Sequence, residues 1–286
     1  MQSYDCIIVR LGEIALKSEQ VREKWMKIQI KNIEAALAGL QYKIEVNPNR
    51  IFIYTPEIKR AMEALRHVFG ITSLSPAWTC FAALDEMKVL ASKIAREFLD
   101  EKKSFAIRPR KAGRHAFGVR TIADEVGAAV KNATGARVDL EDPDVEINVE
   151  CRSRRAYIFI EKLKGPGGLP LGVCGRVCVD MRDAYSLHAA WLAAKRGCEL
   201  VLVFDKLNES VLKLLERWHY GSQLKYYEVK RPDLEQICMN EGAIAIISGK
   251  AFSRKESASV GKIPIFYPVL FFTKEEIKNL ENIINL

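Results

Sequence analysis

The sequence predicts a multidomain protein whose N-terminal part is α+β and whose C-terminal part is α/β. Three observations support this fold class. The chain has 286 residues, which exceeds one compact domain of about 100–150 residues. Residues 1–75 follow the order β-α-β-β-α-β, and residues 173–286 alternate strands with helices. Hydrophobic residues make up 49% of the chain and charged residues 28%, which is the balance of a soluble globular protein.

The first domain, residues 1–75, is predicted from hydrophobic periodicity. The apolar run CIIVRLG is typical of a buried strand, and Val21, Trp25 and Ile28 begin a helical spacing that ends at Gly39. The predicted elements are the strand 6–12, the helix 18–40, the strands 42–46 and 51–54 around the turn Asn47-Pro48-Asn49, the helix 57–69 and the strand 71–74. Their order is that of a ferredoxin-like split unit.

The second domain, residues 76–172, is predicted to end in a hairpin and a linker. The predicted elements are the helices 84–99 and 121–134 and the strands 104–108, 145–149 and 156–160. The last two strands alternate apolar and polar residues, which suits a hairpin with one solvated face, joined by the turn Arg152-Ser153-Arg154-Arg155. The segment Gly165–Gly172 contains four glycines and two prolines, so we predict a linker and a domain boundary near residue 173.

The third domain, residues 173–286, has the rhythm of a parallel sheet with helices on both faces. The predicted strands are 176–180, 199–204, 224–229, 243–248 and 263–270, and the predicted helices are 185–196, 208–220 and 232–240. No internal repeat or low-complexity tail interrupts this order.

Positive charge concentrated in one segment is the strongest functional signal. The net charge is +8 and the pI is about 9.0, which favours a polyanionic partner. Between positions 102 and 120, where no acidic residue occurs, the basic residues are Lys102, Lys103, Arg108, Arg110, Lys111, Arg114 and Arg120. Arg108–His115 lies between a predicted strand and a predicted helix, so a flexible loop would present guanidinium groups beside a helix N-terminus, and both attract phosphate. A solvated basic loop is the alternative. Phe105 and Phe117 flank the segment and are expected in the core rather than stacked on bases.

Membrane, secretory and metal-binding classes are not indicated. No apolar run approaches the roughly 20 residues of a membrane span, and the N-terminus lacks the features of a signal peptide, so we expect a cytoplasmic protein. The seven cysteines are scattered without a CxxC pair, and Cys174 and Cys178 have no further ligands at zinc spacing. We therefore predict no metal site.

Two segments resemble known families. Val138–Val149 (VDLEDPDVEINV), followed by a second strand and Gly167–Gly172 (GGLPLG), resembles the THUMP domain, a module of RNA-modifying enzymes. Ile7–Lys17 (IIVRLGEIALK) resembles the N-terminus of the tRNA 4-thiouridine synthetase family, also called tRNA sulfurtransferase. Further similarity at 195–197, 241–249, 263–269 and 274–277 extends the resemblance over nearly the whole chain.

The resemblance implies that the first two domains hold tRNA near its acceptor end and that the third is a Rossmann-like domain of the PP-loop type. The residues that it implies as phosphate contacts are Arg108, Arg110, Lys111, Arg114 and Arg120, joined by Arg154 and Arg155. Phosphate contacts give affinity rather than sequence choice, so specificity is expected from the shape of the tRNA end. Dimers occur in the resembled family, so a homodimer is an open alternative.

The third domain departs from the family pattern where nucleotide would bind. Family members adenylate uridine with an SGGxDS loop, whose small residues let backbone N–H groups approach phosphate. This chain has VCVDMRDAYS instead, without glycine. Met181 and Arg182 are expected to crowd this loop, and Asp180 and Asp183 to repel a triphosphate unless a metal intervenes. Ser186 is the one remaining match.

Two further departures point the same way. Lys250–Lys255 replaces the small polar residues that the family pattern has after Ser248-Gly249. The family's sulfur-carrying cysteine lies beyond the segment that resembles Lys274–Ile277, and no cysteine follows Cys238 in this sequence. The scaffold of the third domain is thus expected without its recognisable catalytic parts.

Other side chains have simpler expected roles. Cys174 and Cys178 could carry persulfide, but a structural role is favoured. His188 and His219 are expected to be packed. An ion pair is expected between Glu13 and Lys17, with domain docking or RNA contact as alternatives. Turn and cap roles are expected for Asp139, Asp142 and Asp144.

Two main hypotheses follow. In the first, the chain binds tRNA, has a degenerate PP-loop domain without ATP-dependent activity or cofactor, and delivers tRNA to a separate modification enzyme. In the second, it is an active tRNA-modifying sulfurtransferase that uses ATP with magnesium through an unorthodox loop or a partner chain. The missing glycines favour the first. Catalytic residues are unassigned under both, and a protein-interaction role of the third domain is a third hypothesis.

Overall fold

The computed structural model describes residues 3–47, 50–250 and 262–285. Part of the predicted turn, Pro48-Asn49, and residues 251–255 of the replaced segment lie outside this description. The chain forms two compact units. The first unit consists of Met1–Val9, Leu40–Met62 and Ser73–Leu163, and the second of Arg10–Gly39, Glu63–Thr72 and Lys164–Leu286. The boundaries predicted at residues 75 and 172 stay predictions.

Among the described residues, the larger sheet has nine strands. These are β1 (Cys6–Leu11), β2 (Lys43–Asn47), β3 (Arg50–Tyr54), β4 (Ile71–Phe81), β5 (Ser104–Ala112), β6 (Arg137–Val138), β7 (Val145–Arg152), β8 (Arg155–Phe159) and β9 (Leu163–Lys164). Their main order is β2-β3-β1-β4-β8-β7-β5-β6. The predicted hairpin is confirmed, since β7 and β8 pair antiparallel, but its predicted solvated face is wrong, because all residues of β8 from Ala156 to Phe159 are buried.

Four helices accompany these strands along the chain, namely α1 (Glu19–Ala36), α2 (Ile58–Leu65), α3 (Leu84–Phe98) and α4 (Val119–Thr134). In the first unit, α3 and α4 share a core with β5 and β7, because Ile94 and Val126 pack with Phe105 and Ile147. α4 ends at Gly135, as predicted. Its φ is 73° and its N–H bonds to the Lys131 carbonyl, which closes the helix.

β5 is longer than predicted. The prediction ended the strand at Arg108 and placed a flexible loop after it, but the structure continues the strand to Ala112. β7 supplies the reason, because it runs parallel beside β5, with Arg108 opposite Asn148 and Ala112 opposite Arg152. The flexible loop was therefore a wrong prediction for Arg108–Ala112, where the side chains stand on a sheet.

Gly165–Gly172 is packed rather than a free linker. Leu169 and Leu171 are buried. The Leu169 N–H donates to the Lys195 carbonyl at 2.9 Å. A Cβ added to Gly168 would lie 2.2 Å from that same oxygen. Glycine here allows close backbone approach within the second unit.

The smaller sheet confirms the predicted parallel order. Its strands are β10 (Arg176–Asp180), β11 (Glu199–Phe204), β12 (Lys225–Glu228), β13 (Ile246–Ser248) and β14 (Ile265–Phe266), in the order β12-β11-β10-β13-β14. The helices are α5 (Ser186–Lys195), α6 (Glu209–Glu216), α7 (Leu234–Asn240) and α8 (Lys274–Ile284). Helices cover both faces, since Val179 packs with α5, α6 and α8 whereas Cys178 packs with α7. No helix in the described ranges could cross a membrane.

Candidate RNA-binding surface and the loop after β10

The first unit gathers basic side chains at one end of its sheet. The carboxyl end of β5 lies beside the β7–β8 turn, because Lys111 pairs with Cys151 and Arg152 with Arg155. A Cβ on Gly113 would lie 4.0 Å from the Ser153 nitrogen. We call this region the basic end, and its members are Arg110, Lys111, Arg114, Arg152, Arg154 and Arg155. All of them except Arg152 are exposed.

Two implied phosphate contacts outside the basic end are ion-paired. Arg108 stands earlier on β5, where its Nε donates to Glu146 at 2.7 Å and its Nη2 to the Leu140 carbonyl at 2.9 Å. Arg120 stands in the first turn of α4, with its Nε 3.8 Å from Asp124. The sequence grouped both with Arg110, but in the fold both have carboxylate partners.

At the basic end, Arg155 has an aromatic and an acidic partner. Its guanidinium carbon lies 5.3 Å from the centre of the Tyr54 ring and its Nη1 donates to the Tyr54 hydroxyl. The same nitrogen lies 3.4 Å from Glu45. Lys111 donates to the Phe117 carbonyl at 3.0 Å.

Phe105, which flanks the basic segment in the sequence, is buried in the core as predicted.

A buried carboxylate near the basic end, which the sequence did not indicate, accepts hydrogen bonds from two arginines. Glu150, on β7, is 2% exposed. It accepts from Arg50 Nε at 3.1 Å and from Arg152 Nε at 2.6 Å. Burial lowers the pKa of Arg50, and the charge of Glu150 opposes that shift. No local pattern marks this contact, because Arg50 lies 100 residues before Glu150.

The loop after β10 folds back on itself in the second unit. Arg182 donates from Nε and Nη2 to the two carboxylate oxygens of Asp180, each at 2.7 Å. These bonds raise the pKa of Arg182. The Ser186 hydroxyl donates to the Asp180 carbonyl at 2.6 Å. Asp183 accepts from the Ser248 hydroxyl at 2.7 Å. Met181 packs against the hydrophobic core rather than into the loop.

The backbone donors of this loop are used within the unit. Five backbone N–H groups donate hydrogen bonds here. Three donate to backbone carbonyls, namely Met181 to Val203, Tyr185 to Gly249 and Ser186 to Asp183. Two donate to side chains, namely Arg182 to the Asp180 carboxylate and Asp183 to the Ser186 hydroxyl. The loop also lies directly against Gly249, since a Cβ there would be 2.2 Å from the Ser186 nitrogen. A phosphate at this place would compete with five existing hydrogen bonds.

The expected ion pair between Glu13 and Lys17 is wrong. Glu13 instead lies 3.1 Å from Arg196 Nη1. The Lys17 ammonium lies 5.0 Å from the Trp25 ring centre. The fold brings the end of α5 to Glu13, which local helical spacing could not reveal.

Several of the remaining expectations for side chains are met, but Asp144 is not a turn or cap residue, because it accepts the N–H of Ser104, 40 residues earlier, at 2.7 Å. Buried His219 accepts the Leu200 N–H at 3.2 Å, and His188 is also buried. Asp139 accepts two backbone N–H groups at 3.1 Å, as a turn residue does. Burial raises the pKa of Cys174 and of Cys178, which disfavours the reactive thiolate.

Comparison with known proteins matches two segments of the N-terminal half of the chain. Residues 81–161 match the THUMP domain, and residues 6–75 match the ThiI ferredoxin-like domain. A probable tRNA sulfurtransferase of Methanosarcina mazei is 33% identical, with 95% of this chain and 80% of the relative covered. One of Methanobrevibacter smithii is 29% identical, with 97% and 86% covered.

Solved structures match the whole chain. A crystal structure of a Pyrococcus horikoshii Ot3 protein is 31% identical with a TM-score of 0.85, covering 99% of this chain and 100% of that one. A 4-thiouridine synthetase solved with RNA and bound ATP shares the fold, with a TM-score of 0.82, 24% identity and coverage of 98% and 85%. Fold and matches define a THUMP-domain protein with a ferredoxin-like N-terminal domain. The chain belongs to the tRNA sulfurtransferase family.

Proposed function

We propose that this chain is a tRNA-binding member of its family that has lost ATP-dependent adenylation. The THUMP match supports RNA binding, and the basic end supplies exposed cations in that domain. The phosphate contacts that we propose are Arg108, Arg110, Lys111, Arg114, Arg120, Arg154 and Arg155. The acceptor end of tRNA is the proposed ligand.

The loop after β10 is the observation that carries the loss of adenylation. Phosphate-binding loops present unoccupied N–H groups and small residues to the phosphate oxygens. Here five N–H groups donate within the protein, and Arg182 neutralises Asp180. We therefore regard Asp180, Met181, Arg182, Asp183 and Ser186 as a degenerate PP-loop that does not fit a triphosphate.

The alignment with one relative contains positions that this chain lacks. The alignment with the Methanosarcina mazei relative extends over 325 positions, although this chain has 286 residues. That relative therefore has segments without a counterpart here. We propose that the chain delivers tRNA to a separate modification enzyme, alone or as a homodimer.

The names of the relatives favour a second candidate function. Probable tRNA sulfurtransferases match nearly the whole chain, so an active sulfurtransferase is the alternative. It would use ATP with magnesium through a rearranged loop or a partner chain.

Binding of labelled ATP separates the two functions. The purified protein is incubated with labelled ATP and magnesium, with and without tRNA. We expect it to retain no ATP and to form no AMP, because the N–H groups of the loop after β10 already donate within the protein. Retained tRNA binding in the same preparation is the control for folding. AMP formation that depends on tRNA would overturn the proposed loss of adenylation and favour the alternative.

A further inference from the structure

The buried contact around Glu150 joins two parts of the first unit. Arg50 belongs to β3 in the ferredoxin-like part, whereas Arg152 belongs to β7 in the THUMP part. Both donate through Nε to the same carboxylate oxygen, at 3.1 Å and 2.6 Å. Only 14% of the Arg50 side chain and 16% of the Arg152 side chain are exposed. These two guanidinium groups are therefore fixed in place, unlike the exposed lysines and arginines elsewhere on the unit.

A third arginine lies beside this pair. Arg110 is paired in register with Glu150 across β5 and β7. Burial is the main cause of the lowered pKa of Arg50, and repulsion by the nearby charges of Arg152 and Arg110 lowers it further. Three guanidinium groups and one carboxylate leave a net charge of +2 on these four side chains. Repulsion of this kind is relieved by a bound anion.

We propose that Glu150 is a positioning residue that holds Arg50 and Arg152, together with Arg110, as a binding site for one phosphate group of RNA. Planar guanidinium groups suit phosphate oxygens, and a group already fixed loses less conformational freedom on binding. The proposal rests on the proposed RNA-binding function and adds Arg50, from outside the THUMP match, to the surface.

Removal of the negative charge at Glu150 distinguishes positioning from general electrostatic attraction, because the two predict opposite changes in RNA affinity. If the charges acted only by general attraction, Glu150→Gln would strengthen RNA binding, because the protein would become more positive. If Glu150 positions the arginines, the same change weakens binding in spite of the added charge. Glu146→Gln is the matched control, since Glu146 lies on the same strand, is half exposed and pairs with Arg108 instead.

The test measures affinity for a tRNA acceptor-stem hairpin with an unpaired 3′ end over a series of salt concentrations. We expect Glu150→Gln to weaken binding about tenfold and to reduce the dependence of log K on log salt by up to about one, the share of one phosphate contact. Glu146→Gln is expected to bind at least as tightly as the unchanged protein. Undiminished binding by Glu150→Gln, or an equal loss in both variants, would overturn the proposal.

A second variant guards against misfolding. Arg50→Lys keeps every charge but loses the Nε that Glu150 holds, so it is expected to weaken binding without altering the thermal unfolding midpoint much. Undiminished binding by Arg50→Lys also overturns the proposal. Failure of the unchanged protein to bind the hairpin would overturn the proposed function as well, whereas undiminished binding by the variants overturns this inference alone.

Discussion

Two arginines on one strand differ in how available their side chains are to bind a phosphate. Arg108 and Arg110 both lie on β5, but Arg108 donates to Glu146 and to the Leu140 carbonyl. Arg110 is more exposed and lies at the basic end. Glu146 balances the charge of Arg108 one to one, whereas the arginines around Glu150 outnumber their carboxylate, so Arg108 gains less from a phosphate. The two residues, equivalent in sequence, are therefore unequal in the fold.

Alanine variants test this inequality. We expect Arg110→Ala to weaken tRNA binding more than Arg108→Ala, and the triple change of Arg108, Arg110 and Arg114 to weaken it most. Each lost phosphate contact should reduce the slope of log K against log salt by about 1. Fluorescence titration with tRNA at several salt concentrations measures both quantities.

Lys93→Ala is the control for net charge, because Lys93 is exposed on α3, on the helical side of the sheet. It removes the same charge and should leave the slope unchanged. A triple variant with unchanged affinity would remove these arginines from the binding surface.

The position of the basic end could be predicted only as far as local sequence reaches. The run of basic residues pointed to Arg110 and Lys111, and the turn pointed to Arg154 and Arg155. Arg50 and its contact with Glu150 stayed hidden, since a hydrogen bond across 100 residues leaves no periodic signal. The partner of Glu13 was missed for the same reason.

At the scale of elements, hydrophobic periodicity predicted the order of strands and helices. It did not predict where several strands end. The sequence Arg-Pro-Arg-Lys reads as the end of a strand, because proline lacks an N–H donor. The neighbouring β7 nevertheless keeps Pro109 in the sheet, opposite Val149. Similarly, β4 continues to Phe81, where it pairs with Arg155 of β8. Strand ends depend on partners that only the fold supplies.

Two neighbouring glycines in the predicted linker differ in why glycine is needed. One needs only a left-handed backbone conformation, and the other also needs room for a close backbone contact. Gly167 has φ 67° with nothing within 4 Å of an added Cβ, whereas Gly168 has φ 77° and the Lys195 carbonyl at 2.2 Å. Gly167→Ala should therefore cost only left-handed strain, about 1–2 kcal/mol. Gly168→Ala adds a clash with backbone, and we expect a further loss of about 1–3 kcal/mol in the free energy of unfolding.

Urea unfolding of the two alanine variants measures this difference directly. Equal destabilisation would show that the segment is a free linker, as the sequence suggested, rather than a packed connection.

At the scale of the whole molecule, acid sensitivity should lie in the second unit. The histidines whose pKa burial lowers are His67, His188 and His219, and all of them belong to that unit. His67 shows the physical reason. Its Nδ1 lies 3.0 Å from the Glu63 carbonyl and its Nε2 lies 3.1 Å from Arg217 Nη2. The neutral ring can donate to one and accept from the other, whereas the protonated ring would face Arg217 with a second donor.

The sign of the pH dependence follows from these lowered pKa values. Below the ordinary histidine pKa of 6.5, the unfolded chain binds protons that the folded second unit excludes, so acid favours unfolding. Stability should be constant above that pH and should fall as the pH drops through it, down to the folded pKa values. Denaturant unfolding at about pH 7.5 and pH 5.5 is followed by tryptophan fluorescence in a Trp78→Phe background, in which buried Trp191 and Trp218 report on this unit. His67→Gln keeps an acceptor for Arg217 without a titrating ring, so it should reduce the difference between the two pH values. A midpoint that does not change with pH in the unchanged protein would show that burial of these histidines does not govern the stability of the unit.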